Sequence, residues 1–167
     1  MVMEVVEVES AAETFGRFVS DAEPRLRRAF TLLRGIDAGR DATAEALAWA
    51  WEYWDQVRGM ENPVGYLYRV GASRSRPRRS RLPLAEPAAG HRFEPGLVPA
   101  LQRLPERQRT AVVLVHGCGW THQEAAEAMG ISRPTVGTHV SRAIERLRHE
   151  LGVEVETEVK RGGGSDG

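Results

Sequence analysis

The sequence predicts an all-α protein made of two small helical modules joined by a linker. Three observations support this prediction. Apolar residues recur at helical intervals in two stretches of the chain, and no alternating pattern is strong enough to build a sheet. Between the two stretches lies a segment rich in Pro and Arg, which no long helix tolerates. Residues 121–149 combine the capping, turn and spacing signals of a helix-turn-helix.

The helix-turn-helix prediction depends on several local signals that coincide in one window. Thr121 followed three residues later by Glu124 is a capping box, which predicts the start of a helix. Gly130 allows the left-handed backbone at which a helix stops and turns. Ser132 can cap the next helix, with Pro134 in its first turn, where no backbone N–H is needed. An ordinary helical hairpin needs none of this coincidence, so the segment predicts DNA binding.

The second helix of this motif has two distinct faces. Its apolar residues recur at helical spacing and mark a buried face: Val136, Val140, Ile144, Leu147 and Leu151. The opposite face carries hydrogen-bond donors and small polar groups of the kind that fit a DNA groove: Arg133, Thr135, Thr138, His139 and Arg142. We therefore expect the polar face of this helix to contact DNA.

Charge is distributed unevenly along the 167-residue chain, although its formal net charge is zero. Residues 1–23 carry a net charge of −5. Residues 24–82 carry twelve arginines against six acidic residues, a net charge of +6. The middle third is therefore the electropositive part of the chain.

Composition also indicates a compartment. Cys118 is the single cysteine, which excludes an internal disulfide and predicts a reducing cytoplasm. No apolar run approaches the length of a membrane span, and the acidic N-terminus does not resemble a signal peptide. We expect a cytoplasmic protein that does not insert into membranes.

The patterns divide the chain into five predicted parts. These are an acidic N-terminal extension (1–14), a first helical module (15–75), a linker (76–99), a second module with the helix-turn-helix (100–151) and a flexible tail (152–167). The linker contains five Pro and two Gly residues. The apolar register of the second module runs from Val112 to Leu151, and we expect this module to close its core without residues from the first.

The first module is predicted to contain three helical stretches. The first spans about residues 15–33, with Pro24 marking a break or a helix start. Gly35 and Gly39 are expected to bracket a turn before a strongly helical stretch over residues 41–57. A loop over residues 58–62 follows, and Pro63 then opens another helix that ends near residue 75.

Aromatic residues are concentrated in this module, between residues 49 and 68. Residues at helical spacing are expected to fill the core of a helical bundle: Trp51, Trp54, Leu67 and Val70. Asn62, Tyr66 and Arg69 lie at the loop and the start of the following helix. They are better candidates for gripping a nucleic-acid strand, because aromatic faces stack on unpaired bases. Residues 74–81 hold five arginines, which form either a solvated tether or a segment that binds phosphates.

The chain resembles a known family. Residues 104–114 (LPERQRTAVVL) and the helix-turn-helix ending in RAIERLR (142–148) resemble region 4 of bacterial sigma factors. Upstream, Asp41 and Glu45 occupy positions of the acidic patch in region 2 of the small extracytoplasmic-function group, and residues 62–70 (NPVGYLYRV) resemble a later motif of that region. In this group region 2 is linked directly to region 4. The resemblance covers roughly residues 17–151. The chain departs from the family at Ala44, where the patch has Gln, and at Pro77, which ends early a basic helix that is longer in the family.

The resemblance implies a function without chemistry. A sigma factor binds core RNA polymerase, here through the helix bearing Asp41 and Glu45, and directs it to promoter DNA. Region 4 would read the −35 element, and region 2 would capture the melted −10 strand. The region 2 contacts implied are Asn62, Tyr66, Arg69 and Arg74. The resemblance also implies an anti-sigma factor as a partner, and neither a cofactor nor a metal.

The residues leave two alternatives open and argue against a third. One is a stand-alone helix-turn-helix regulator, because residues 135–140 also resemble the recognition helix of response-regulator output domains. Another is a degenerate sigma-like protein that no longer melts promoters. A transposase or resolvase would need a catalytic residue set on a mixed sheet, which the first hundred residues do not offer.

His116, Cys118 and His122 form a weak zinc pattern, because no fourth ligand accompanies them.

Overall fold

The computed structural model describes residues 10–75 and 96–153, and within these two ranges every regular element is helical. The predicted all-α class is therefore confirmed. In chain order the helices are α1 (Ala11–Arg34), α2 (Ile36–Glu52), α3 (Trp54–Val57), α4 (Pro63–Arg74), α5 (Leu97–Arg103), α6 (Glu106–Val112), α7 (His122–Met129) and α8 (Arg133–Leu151). One turn of π-helix, Val113–Gly117, extends α6. Most of the predicted linker, most of the N-terminal extension and nearly all of the tail lie outside the described residues.

Helix α1 begins earlier than predicted and is continuous. The Ser10 hydroxyl accepts a hydrogen bond from the Glu13 N–H (3.2 Å), and the Glu13 carboxylate accepts one from the Ser10 N–H (2.8 Å), so a capping box starts the helix inside the predicted extension. Pro24 lies within the helix instead of breaking it. Buried residues on both sides of Pro24, such as Ala22 and Leu26, hold one apolar stripe against the core. Their burial offsets the roughly 3 kcal/mol that an interior proline costs.

The connection from α1 to α2 is shorter than the sequence indicated. Gly35 alone makes the junction, with φ of 89°, and α2 begins at Ile36 rather than at Asp41. Gly39, predicted to belong to a turn, lies inside α2, where an added Cβ would be 2.8 Å from the Thr31 amide nitrogen. The second glycine therefore serves close packing of α2 on α1, and the predicted turn was wrong.

The core of the first half contains most of the predicted residues. Trp54 and Leu67 are buried, and Val70 is partly buried. Trp51 is wrong as a core prediction, because 52% of it is exposed. Its ring lies on the outer side of α2 against Phe15, with 4.9 Å between the ring centroids.

The second half follows its prediction more closely. Helix α5 begins at Leu97 with Pro99 in its first turn, so the last residues assigned to the linker are helical. In the first half, the loop over residues 58–62 and the helix opened by Pro63 are present as predicted. Helix α8 ends at Leu151, where Gly152 adopts the left-handed conformation, with φ of 65°.

The two helical groups share one apolar core, contrary to the expectation that the second closes on itself. One cluster of buried residues joins α1, α2 and α4 to α6, α7 and α8. At its centre Trp120, 2% exposed, packs edge-on against Tyr68 with centroids 5.7 Å apart. Tyr68 in turn stacks on Phe30 of α1. The apolar register of α7 and α8 therefore continues into the first half of the chain.

This shared core predicts an unequal effect of two tryptophan substitutions. Trp120→Ala should destabilise the chain by about 3–5 kcal/mol, since it removes a buried ring from the contact between the halves. The matched control Trp51→Ala should lower the free energy of unfolding by about 1 kcal/mol or less, because that ring is half exposed. Urea unfolding followed by circular dichroism measures both. Similar losses for the two variants would contradict the shared core.

Candidate DNA-binding interface

The helix-turn-helix has the local geometry that its sequence predicted. The Thr121 hydroxyl accepts a hydrogen bond from the Glu124 N–H (3.1 Å), and the Glu124 carboxylate accepts one from the Thr121 N–H (2.9 Å). Gly130 ends α7 with φ of 62° and ψ of 37°, the left-handed conformation. The Ser132 hydroxyl accepts from the Thr135 N–H (3.3 Å) and caps α8. These caps fix where each helix begins and ends, and so fix the angle at which α8 is presented.

The polar face of α8 is accessible because its apolar face is anchored. Val136, Val140 and Ala143 are buried in the core. All four arginine and threonine contacts predicted on α8 are exposed: Thr135, Thr138 and Arg142 on the opposite side, and Arg133 in the first turn, about half a turn round the helix from Arg142. His139 differs, since it is partly buried and its Nδ1 atom has no hydrogen-bond partner among the described residues. The structure therefore leaves four of the five predicted contacts exposed and places three of them, Thr135, Thr138 and Arg142, on one side of α8.

The predicted strand contacts of the first half lie along α4. Asn62, Tyr66 and Arg69 are spaced four and three residues apart, which places them on one helix face. The Arg69 guanidinium carbon lies 5.1 Å from the centre of the Tyr66 ring, over its face. Arg74 is exposed in the last turn of α4, off this face by about a third of a turn. Three of the four predicted residues therefore share one surface.

Aromatic side chains from the cluster over residues 49–68 extend this face onto the end of α2. Trp49 packs against Tyr66 with centroids 5.4 Å apart, and Tyr53 stacks on Trp49 at 4.7 Å. Tyr53 is 41% exposed at the end of this row. The four-residue interval between Trp49 and Tyr53 is the sequence signal for their contact. The row of rings ends at Arg69 and offers stacking faces of the kind that bind unpaired bases.

Arg69 also contacts the helix-turn-helix. Its Nη2 atom lies 3.3 Å from Oε1 of Glu127 in α7. A Cβ added to Gly130, at the turn of the motif, would be 3.4 Å from the other terminal nitrogen of Arg69. The predicted strand-binding face of α4 therefore borders the motif that is predicted to bind duplex DNA.

Two further arginines hold the halves together through polar contacts. Arg25 of α1 forms an ion pair with Glu124 (Nη2 to Oε1, 2.7 Å), and its guanidinium also faces the Trp120 ring. Arg28 donates two hydrogen bonds, of 3.0 and 3.2 Å, to the Gly117 carbonyl. Burial raises the pKa of Glu124, but the hydrogen bonds and charge of Arg25, together with the Thr121 cap, outweigh it and hold the pKa below its usual value.

The acidic pair of α2 is well placed for a partner. Asp41 and Glu45 are exposed one turn apart on the same face, and within the described residues neither forms an ion pair. Thr43 points inward instead, where its hydroxyl donates to the Gly39 carbonyl at 2.7 Å. Two unpaired carboxylates on a helix surface can bind a cationic partner surface.

The described residues offer neither a metal site nor a membrane span. Among them, no group of three or more His, Cys, Asp or Glu side chains could hold a metal ion. Burial raises the pKa of the Cys118 thiol to about 11, which disfavours the thiolate that metals require. No helix in these ranges is both long and apolar enough to cross a bilayer.

Comparison with known proteins agrees with this geometry. Residues 97–147 match the family described as sigma-70, region 4. The RNA polymerase sigma-E factor of Streptomyces coelicolor is 30% identical over 129 residues, which cover 70% of this chain and 72% of that protein. The sigma factor RpoE of Bartonella quintana, solved in complex with the anti-sigma factor NepR, has the same fold. It aligns with a TM-score of 0.66 and 22% identity over 85% of this chain and 99% of its own.

The fold and the exposed recognition helix define a DNA-binding transcription factor with two helical groups. The chain belongs to the RNA polymerase sigma factors, in their extracytoplasmic-function group. A match of 129 residues is far longer than the 51 residues matched by region 4, so it must extend into the first half of the chain. The label region 4 below denotes residues 96–153, of which residues 97–147 match that family, and the label region 2 denotes residues 10–75, whose motifs resemble that region.

The lowered pKa of Glu124 predicts a pH dependence of stability. A carboxylate with a depressed pKa in the folded state stabilises the protein above its usual pKa of 4.5, and this contribution is lost as pH falls through the folded value. At pH 7 Glu124→Gln should therefore lower the free energy of unfolding by about 1–2 kcal/mol, because it removes the charge that pairs with Arg25 while Gln still completes the capping box. The difference between the two proteins should shrink progressively as the pH falls below 4.5. Urea unfolding of both proteins at a series of pH values measures this. A difference that stays constant with pH would contradict it.

Proposed function

We propose that this sigma factor binds core RNA polymerase and directs promoter-specific initiation, with region 4 at the −35 element and region 2 at the −10 element. The observation that carries the proposal is the exposed polar face of α8, fixed by two helix caps and a buried apolar face. It is a face for binding in a groove, and the protein would perform no chemistry itself and need no cofactor. Its place of action would be the cytoplasm, where the polymerase is.

Run-off transcription is the direct test of this function. The purified chain, added to core polymerase and a library of promoter fragments, should yield discrete transcripts that core polymerase alone does not make. Binding to core polymerase without any transcript would favour the alternative of a degenerate sigma-like protein that no longer melts promoters. The observation in favour of this alternative is that Arg69, a predicted strand contact, is already paired with Glu127. No association with core polymerase would favour a stand-alone regulator, an alternative that the length of the sigma-E match already disfavours.

The recognition helix generates a prediction about two arginines. Arg133 lies in the first turn of α8, the end that would enter the major groove. Arg133→Ala should weaken the free energy of binding to the specific duplex by about 1–3 kcal/mol and relax the sequence preference. Arg142 lies about two and a half turns further on, and Arg142→Ala should weaken binding to all sequences and flatten the salt dependence. Titrations of specific and scrambled duplexes at several salt concentrations separate the two effects. Unchanged affinity in both variants would exclude α8 as the reading helix.

The acidic pair generates a prediction about the polymerase. The double change Asp41→Ala and Glu45→Ala should weaken association with core polymerase, because it removes two unpaired carboxylates from the exposed face of α2. A double change of the paired acids Glu23→Gln and Glu150→Gln removes the same charge from other helices and serves as the control. A titration of fluorescent protein with core polymerase measures both. Equal losses in the two double variants would contradict a specific contact at α2.

An anti-sigma factor is a further proposed partner. The Bartonella quintana sigma factor of the same fold was solved with one, which supports looking for such a protein. Pull-down with the full chain as bait, followed by run-off transcription with the captured protein, tests whether it inhibits initiation.

A further inference from the structure

Three inter-module contacts place the two halves of the chain in a specific closed arrangement. Arg25 binds Glu124 at 2.7 Å and Arg69 binds Glu127 at 3.3 Å, and both acids belong to α7, the first helix of the helix-turn-helix. The backbones of α4 and α7 also approach closely at Gly65, where an added Cβ would lie 2.5 Å from the Glu124 carbonyl oxygen. The acidic edge of α7 is therefore seated against arginines of region 2.

We propose that this acidic edge, Glu124 and Glu127, is a built-in competitor for nucleic-acid phosphate that keeps region 2 from gripping single-stranded DNA until α7 is displaced. The inference rests on the proposed function, because it assumes that Tyr66 and Arg69 contact the −10 strand. Carboxylates and phosphates both bind guanidinium groups, so Glu127 and a strand phosphate compete for Arg69, while the Arg25–Glu124 pair holds α7 in place.

The two DNA-binding surfaces differ in accessibility in this closed state. The exposed residues of α8 face away from the core and remain free to meet a duplex. Arg69, by contrast, is held between the Tyr66 ring and the Glu127 carboxylate. Strand binding by region 2 therefore requires that α7 leave, whereas duplex binding by α8 does not.

The closed state is also held less tightly than a fully satisfied core would be. The indole Nε1 of Trp120 is buried without a hydrogen-bond partner among the described residues. An unpaired buried donor disfavours the state that buries it. Side chains of the Arg69–Glu127 pair are 46% and 35% exposed, so solvent weakens that ion pair. A polyanion can therefore compete with Glu127 for Arg69 and open the contact between α4 and α7.

Cys118 provides a native probe of the opening. It lies beside Arg28 at the contact between the halves, packed against the shared core. Burial raises the pKa of this thiol to about 11, so it reacts slowly with disulfide reagents while the halves are closed. Separation of the halves should expose the thiol and accelerate the reaction.

The first test removes the acidic edge without changing the helix. Glu124→Gln combined with Glu127→Gln keeps the capping box, since Gln at the third helical position also completes it. The control is Glu23→Gln with Glu150→Gln, which removes the same charge from ion pairs inside each half. Two readouts are measured on the full chain: the rate at which a small aromatic disulfide modifies Cys118, and the affinity for a single-stranded oligo(dT) of about 15 nucleotides.

The two readouts should change together. Relative to the control, the α7 double variant should react about five-fold faster at Cys118 and bind oligo(dT) about five-fold tighter. Equal values in both double variants would overturn the proposal. Faster modification with unchanged oligo(dT) affinity would also overturn it, because the arginines freed by opening would then not be the strand-binding groups.

The second test opens the contact without changing charge. Gly65→Ala introduces the Cβ that the Glu124 carbonyl excludes, whereas Gly16→Ala, at a helical glycine with open space around it, is the matched control. Gly65→Ala should raise both readouts, and circular dichroism should show retained helix content. If helix content is lost, the charge variants decide. Run-off transcription by the native chain tests the proposed function separately, so an active chain with no change in either readout would refute only the competitor.

Discussion

Close approach between α4 and α7 at Gly65 is the constraint on which the arrangement of this sigma factor depends. Any side chain at this position would meet the carbonyl of Glu124, so the glycine allows the two backbones to touch. Small buried residues of α7, Ala125 and Ala128, complete the contact. Because α7 is also the first helix of the DNA-binding motif, this single contact fixes the orientation of region 4 relative to region 2. It brings Tyr68 and Trp120 together and aligns the arginines with the acidic edge of α7.

This arrangement and the proposed function require different placements of the two regions. Under the proposed function the two regions read separate promoter elements, so the halves would have to move apart when the protein binds polymerase. The closed chain hides Trp120 and occupies Arg69, and opening exposes both. Binding energy from the polymerase and DNA must therefore exceed the free energy of the shared core, because a ligand shifts an equilibrium only by its differential affinity for the two states.

Local signals in the sequence predicted local structure well. The helix-turn-helix was predicted from Thr121, Gly130 and Ser132, because caps and left-handed turns depend on a few neighbouring residues. Predictions that depended on distant partners were less successful. Pro24 suggested a break and Gly39 a turn, yet tertiary packing keeps both within helices. Trp51 was assigned to the core by its size and spacing, although its side of α2 faces outward.

The candidate site shows the same division. Exposed positions on α8 followed from helical periodicity within one helix. The ion pairs of Arg25 with Glu124 and of Arg69 with Glu127 join residues that are 99 and 58 positions apart, and no spacing rule in one sequence relates such positions. Gly65 was the available signal, since a glycine inside a helix often marks a close approach of another backbone.

Native-state hydrogen exchange tests the shared core most directly. Exchange of the buried amides of Leu67 in α4 and Ala125 in α7 would be followed at increasing urea concentrations below the unfolding transition. If the two halves form one core in the free chain, both amides should approach a single opening free energy with the same urea dependence. Two separate opening free energies, each with a smaller urea dependence, would show that region 2 and region 4 unfold independently and would contradict the account.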